Sequence, residues 1–158
     1  YALNDQGDSH IMTLLQAMGG SLYDENGNFA INTPEGIAAL TWLKSLDEQG
    51  YVPENAENIE FVDVINLFYN GQMAICMSNL TNLWDYRDRG MEVFPVNFPS
   101  LDGRGYAVVR LDNLNWQGVR DVFYLNIQDL LKGTKSPEEV AKAIDETCNA
   151  ALEQGRPK

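Results

Sequence analysis

The sequence predicts a helix-rich α/β domain built around a small mixed sheet. Three observations carry that prediction. Apolar residues recur at helical spacing in segments that open on capping residues and close on glycine. Three short apolar or β-branched runs, near Met73–Met77, Glu92–Pro95 and Tyr106–Val109, read as buried strands. An Asn26-Gly27 pair sits between segments that switch from polar to apolar, which is the local signature of a hairpin.

The elements follow in order. Ser9 to Met18 places Ile11, Leu14, Leu15 and Met18 on one helical face, and Gly19-Gly20 ends it. Tyr23 to Ile31 reads as a tight hairpin with a type I′ turn at Asn26-Gly27. Thr33-Pro34-Glu35 starts a helix: Thr33 caps, Pro34 fits the first turn, and Glu35 suits the positive end. That helix turns Ile37, Leu40, Leu43 and Leu46 inward and stops at Gly50. Phe61 to Tyr69 is a short amphipathic helix with Val64, Leu67 and Phe68 on one side, ended by Gly71. Met73 to Met77 reads as a buried strand, and Thr81 to Arg89 as a helix ending at Gly90. Met91 to Pro95 reads as a second strand. Leu101 to Arg110 reads as a Gly-rich turn followed by a third. Trp116 to Lys132 is a long helix with Val119, Val122, Phe123, Ile127 and Leu130 inward and Gly133 closing it. Ser136 and Glu139 form a capping box, each satisfying the other's backbone amide. The last helix runs to about Glu153, with Val140, Ile144, Cys148 and Ala151 inward, and the tail from Gln154 frays.

The chain has 158 residues, of which 44% are hydrophobic. That suffices for one domain burying roughly 70% of its unfolded surface. Acidic residues number 23 against 11 basic, a net charge of −12. Such a field repels phosphate backbones and disfavours anionic membrane surfaces, so neither nucleic acid nor direct membrane insertion is expected. No leader and no spanning apolar stretch is present, and Tyr1 reads as an interior residue of a longer chain. The two cysteines, Cys76 and Cys148, are expected to be buried free thiols rather than a disulfide.

One block, Leu15 to Met77, combines local signals in a distinctive order. Gly19-Gly20 follows a helix, the Asn26-Gly27 hairpin follows, and Asn32-Thr33-Pro34-Glu35 opens the next helix. Phe68, Asn70-Gly71 and Ala74 then lead into the apolar run. This order resembles the carboxy-terminal lobe of the extracellular (family 1) solute-binding proteins, the carbohydrate receptors of ABC importers. The likeness extends to Gly118–Ala151, which resembles the closing helix pair of those receptors, including the Gly133-x-x-Ser136-Pro137-Glu138-Glu139 turn. It implies an isolated lobe of a periplasmic-binding-protein-like fold over residues 1–158. The amino-terminal lobe is then expected to lie outside this sequence. Residues 101–115 alone separate Ser100 from Trp116, too few for the family's excursion through the other lobe. A shortened junction is therefore expected near 106–115.

The resemblance implies non-catalytic binding of a sugar or oligosaccharide in an interlobe cleft, this lobe supplying half the contacts. It implies delivery to an ABC transporter permease by the full-length protein. It further implies a location at the extracellular face or in the periplasm, with a lipid anchor on the full-length protein, and no cofactor. Three places face the cleft if the likeness holds. The first is Asp8 and His10, at a helix start whose amides bind oxygens. His10 stands between an exposed surface residue and a ligand contact; no partner cluster makes it a metal ligand. The second is Asn79, Thr81 and Trp84. Relatives carry Gly-Pro-Trp here, whereas Thr81 occupies the Trp position and Trp84 comes one turn later. Trp84 is weighed between stacking on sugar and packing in the core, and Asn79 is assigned a hydroxyl contact. The third is Trp116 and Arg120, at the start of the closing helix.

Two further motifs fail. Asp24, Asn26, Asn28 and Glu35 match calcium-loop positions, but Phe29 stands where such a loop needs Gly. Asn79-Leu80-Thr81 is a coincidental glycosylation sequon. The run Asp85, Arg87, Asp88, Arg89 is a solvated helix face. No phosphate loop, nucleophile elbow or metal cluster supports an enzyme. The competing function is an interaction lobe that dimerises through the exposed interlobe surface.

Overall fold

The computed structural model describes residues 7–78, 82–96 and 116–155, with only the backbone described at 7–10, 116–117 and 154–155. Six α-helices fall in these segments: α1 (Gly7–Ala17), α2 (Pro34–Glu48), α3 (Phe61–Tyr69), α4 (Asn82–Asp88), α5 (Trp116–Leu131) and α6 (Pro137–Gly155). A 3-10 turn spans Ala56–Asn58. Their starts follow the expected chemistry. Thr33 Oγ1 accepts the Gly36 amide at 3.2 Å with Pro34 in the first turn of α2. Before α6, Ser136 N–H donates to Glu139 Oε2 at 2.8 Å and Glu139 N–H donates to Ser136 Oγ at 3.2 Å. The helices stop where predicted: Gly19, Gly50, Gly71, Gly90 and Gly133 all have positive φ.

Helices α1, α2, α5 and α6 form a four-helix bundle. α5 packs on α6 and on α1, α2 packs on α6 and on α1, and α2 also touches α5. The predicted inward residues build its core: Ile11, Leu14, Leu15, Leu40, Leu43, Val119, Phe123, Leu130, Val140, Ile144 and Cys148 are buried together. Burying each aliphatic or aromatic side chain contributes about 1.5–3 kcal/mol. Ala151 departs from the expectation. It is exposed, and Leu152 takes the inward position at the end of α6.

The hairpin forms with a different turn. Tyr23 and Phe29 make one antiparallel bridge, and Asp24 N–H donates to Asn28 O at 2.9 Å. Type I′ needs φ > 0 at both central residues. Gly27 has φ +77°, but Asn26 does not lie in the left-handed region. The loop is instead three residues long, with Gly27 N–H closing on Asp24 O at 3.0 Å and Gly27 as the bulge. Asp24 dictates this: its Oδ1 accepts the amides of Asn26 and Asn28, each at 2.9 Å.

The extended backbone after the hairpin is held by side chains of α6. Asn149 Oδ1 accepts Phe29 N–H at 2.7 Å, and its Nδ2 donates to Phe29 O at 2.9 Å. Asp145 accepts Ile31 N–H at 2.7 Å and Asn32 N–H at 2.8 Å. One helical turn apart, these residues do the work of a neighbouring strand.

The expected small mixed sheet is not formed among the described residues. Residues 73–77 and 91–95 form no strand and pair with none. A short apolar run specifies burial, whereas a strand needs a partner edge that such a run does not encode. Even burial is partial: Met73 is buried but Ile75 is exposed. The third expected strand, 106–109, and the junction near 106–115 lie outside the described residues.

Beside the bundle lies a second, smaller unit. Val64 and Met73 are buried, with Ile59, Leu67, Phe68 and Cys76 packed against them. The 3-10 turn connects this unit to α5, where Gln128 Nε2 donates to Glu57 O at 2.8 Å.

Candidate functional site

The predicted rim is best described at α4, which Tyr86 anchors. This ring is 4% exposed. It meets Phe68 edge-on at 5.1 Å and Tyr69 at 5.2 Å between centroids. Its hydroxyl shares a 2.9 Å hydrogen bond with Ser78 Oγ, which also accepts Asn82 Nδ2 at 2.8 Å. Burial pushes the Tyr86 phenol up to about 12, so it stays protonated at neutral pH. The Arg89 guanidinium lies 4.0 Å over the Tyr69 ring.

With Tyr86 turned inward, Trp84 must turn outward, since two residues advance a helix by about 200°. Trp84 is 66% exposed. Core packing, one of its two expected roles, is thereby overturned. An exposed indole held on an anchored helix presents a flat apolar face suited to stacking on a pyranose ring or another planar group.

The other two predicted clusters lie at helix starts. Asp8 and His10 sit on the backbone of the first turn of α1. Trp116 is the first residue of α5, and Arg120, half-buried, follows one turn later. The side chains of Asp8, His10 and Trp116, and residues Asn79 and Thr81 entirely, lie outside the described residues. The fold packs α1 against α5, so the elements carrying two of the three clusters are neighbours. α4 belongs to the smaller unit.

No nucleophile is prepared among the described residues. Both cysteines are free. Burial, with the Asp145 carboxylate nearby, pushes the Cys148 thiol up to about 12, and burial also raises that of Cys76. No group of three metal-ligating side chains occurs among the described residues. The calcium-like carboxylate of Asp24 is occupied by its own turn, where Asn28 Nδ2 adds a third bond at 3.1 Å.

A feature that the sequence reading missed is a largely apolar groove of about 620 Å³ between the bundle and the smaller unit. Trp42, Leu46 and Tyr51 line one side, and Leu67, Met73 and Ile75 the other. Its signal was the apolar Tyr51-Val52-Pro53 directly after the helix stop at Gly50.

No family model and no curated protein matches the chain. Among solved structures it superposes on the "Crystal structure of a putative oligosaccharide periplasmic-binding protein from Synechococcus sp. MITs9220", with a TM-score of 0.72 at 13% identity. The superposition covers 99% of this chain and 61% of that one, so the chain spans less than two thirds of its structural neighbour. The fold is that of part of a periplasmic solute-binding protein.

Proposed function

We propose that this chain is one lobe of a solute-binding protein that holds a sugar or oligosaccharide, without catalysis, for delivery to an ABC importer. The observation that carries this reading is the superposition of 99% of the chain on a protein described as oligosaccharide-binding. The exposed indole of Trp84 supports a carbohydrate in particular. The half-site comprises Asp8, His10, Asn79, Thr81, Trp84, Trp116 and Arg120, and a second lobe of the full-length protein supplies the rest. Half the contacts give weak binding, because the cost of immobilising the solute is not halved with them. The full-length protein works in the periplasm or at the extracellular face, lipid-anchored, beside its permease. No helix among the described residues is long and apolar enough to cross a membrane.

Calorimetric titration with mono- and oligosaccharides tests this reading. Saccharide-specific heat at roughly millimolar ligand, abolished by Trp84→Ala, is expected. Heat that is identical in the variant would remove Trp84 from the site. No heat with any saccharide would remove this chain as a half-site.

A second reading is self-association through the exposed apolar surface, favoured by Phe94 at 75% and Val96 at 82% exposure. Size-exclusion with light scattering separates the two: a dimer that Phe94→Ser dissolves supports it, and a monomer at every concentration rejects it.

A further inference from the structure

Helix α4 has two unlike sides. Asn82 and Tyr86, with Arg89 just past the helix end, are spaced four and three residues apart and share one side. Each has a partner. Asn82 Nδ2 donates to Ser78 Oγ at 2.8 Å, the Tyr86 ring meets Phe68 and Tyr69 edge-on, and the Arg89 guanidinium covers the Tyr69 ring. Trp84 and Asp88 fall on the opposite side and are exposed. Two of the partnered contacts converge on one atom. Ser78 Oγ accepts the Asn82 amide and shares a 2.9 Å hydrogen bond with the Tyr86 hydroxyl, which in turn lies 3.8 Å from Cys76 Sγ. One direction places every proton: Asn82 donates to Ser78, the Ser78 hydroxyl to the Tyr86 oxygen, and the Tyr86 hydroxyl to the Cys76 sulfur. Asn82 and Tyr86 stand one helical turn apart, so a single oxygen fastens α4 at two heights. The helix cannot roll about its axis without breaking one of these bonds. Such fastening matters here, because seven residues are too few for a helix to hold its place alone.

We propose that Ser78 is a positioning residue of the half-site: its hydroxyl fixes the rotation of α4 about its own axis, and with it the direction in which Trp84 presents its indole. Ser78 acts on binding only through Trp84, so this inference rests on the saccharide reading of that residue. A stacking contact depends on the angle of the ring as much as on its presence. A preset angle spares the saccharide the cost of ordering the indole when it binds. Tyr86 carries the same constraint from the other end. Its ring is held by Phe68 and Tyr69 of α3, and its hydroxyl reaches Ser78.

Nitrogen-15 relaxation of the Trp84 indole N–H, assigned by its loss in Trp84→Ala, tests this without any ligand. In the unaltered chain the indole is expected to be nearly as ordered as the α4 backbone amides. Ser78→Ala frees the indole and leaves the α3 amides as they were. Ser78→Thr keeps the hydroxyl and restores the order, whereas Tyr86→Phe keeps the ring between its neighbours and frees the indole as Ser78→Ala does. An indole equally ordered in Ser78→Ala overturns the proposal, as does a loosening shared by α3, which would make Ser78 a general stabiliser. Titration with maltotriose and with cellotriose, followed on the same resonance, reads the effect on binding. Affinity about tenfold weaker in Ser78→Ala and recovered in Ser78→Thr is expected, and undiminished affinity beside a freed indole overturns the role in binding. No response of the unaltered chain to either trisaccharide counts against the saccharide reading, and the relaxation data still decide whether Ser78 sets the indole.

Discussion

At Gly36 a Cβ atom would run into the backbone carbonyl oxygen of Ile31. That atom is backbone, in the segment clasped by Asp145, so it cannot swing aside. Gly36→Ala is expected to destabilise the fold by about 2 kcal/mol or more, despite the better helix propensity of Ala. Urea denaturation measures it. Asp145 is the second residue on which the hairpin depends. Asp145→Asn would turn an amide donor toward one of two backbone N–H groups and leave it unpaired, at a cost of about 1–3 kcal/mol. Burial holds the Asp145 carboxyl above its ordinary 3.8, against the lowering effect of the two amide bonds. The folded state therefore binds this proton more tightly than the unfolded state. Its contribution is full below 3.8 and is lost as pH rises through the raised value. The cost of Asp145→Asn is thus larger at acid pH than at neutral pH. Denaturation at both pH values checks the sign. The lowered carboxyls of Asp24, Asp129 and Glu138 act in the opposite sense, but they are exposed and contribute little. The Asp145–Asn149 pair was legible in principle: two polar residues four apart flank the buried Ile144 and Cys148. The sequence pattern alone does not say which backbone they meet.

Helices were the most legible elements because their determinants are local. Thr33 with Pro34, Ser136 with Glu139, and the glycine stops each act within a few residues, and each fell where expected. Ser136→Ala removes one half of the capping box and is expected to cost about 1 kcal/mol, read as a lower thermal midpoint. Strands were the least legible. The run Met73–Met77 forms no strand, because pairing depends on a partner distant in sequence. The turn type also escaped: Asn26-Gly27 signals a hairpin, but Asp24 decides its geometry by accepting two amides. Trp84 was undecided from sequence, since its exposure follows from Tyr86 filling the inward face of α4.

At the scale of the whole molecule, the order of local motifs outperformed any one of them. Identity with the structural neighbour is only 13%, yet the superposition spans 99% of the chain. Fold survives at that identity because it rests on burial pattern and caps, which many sequences satisfy. The site does not follow from the fold in the same way. The packing of α1 against α5 brings two predicted clusters onto neighbouring elements, and α4 belongs to the smaller unit. Whether the three act as one half-site is the central claim. The most direct test is a two-dimensional NMR titration of the isotope-labelled chain with oligosaccharides at millimolar concentration. A single half-site requires shifts at the Trp84 and Trp116 indoles together with amides at the starts of α1 and α5. Shifts confined to the Trp42–Tyr51 groove or to α6, or none with any saccharide, would contradict it.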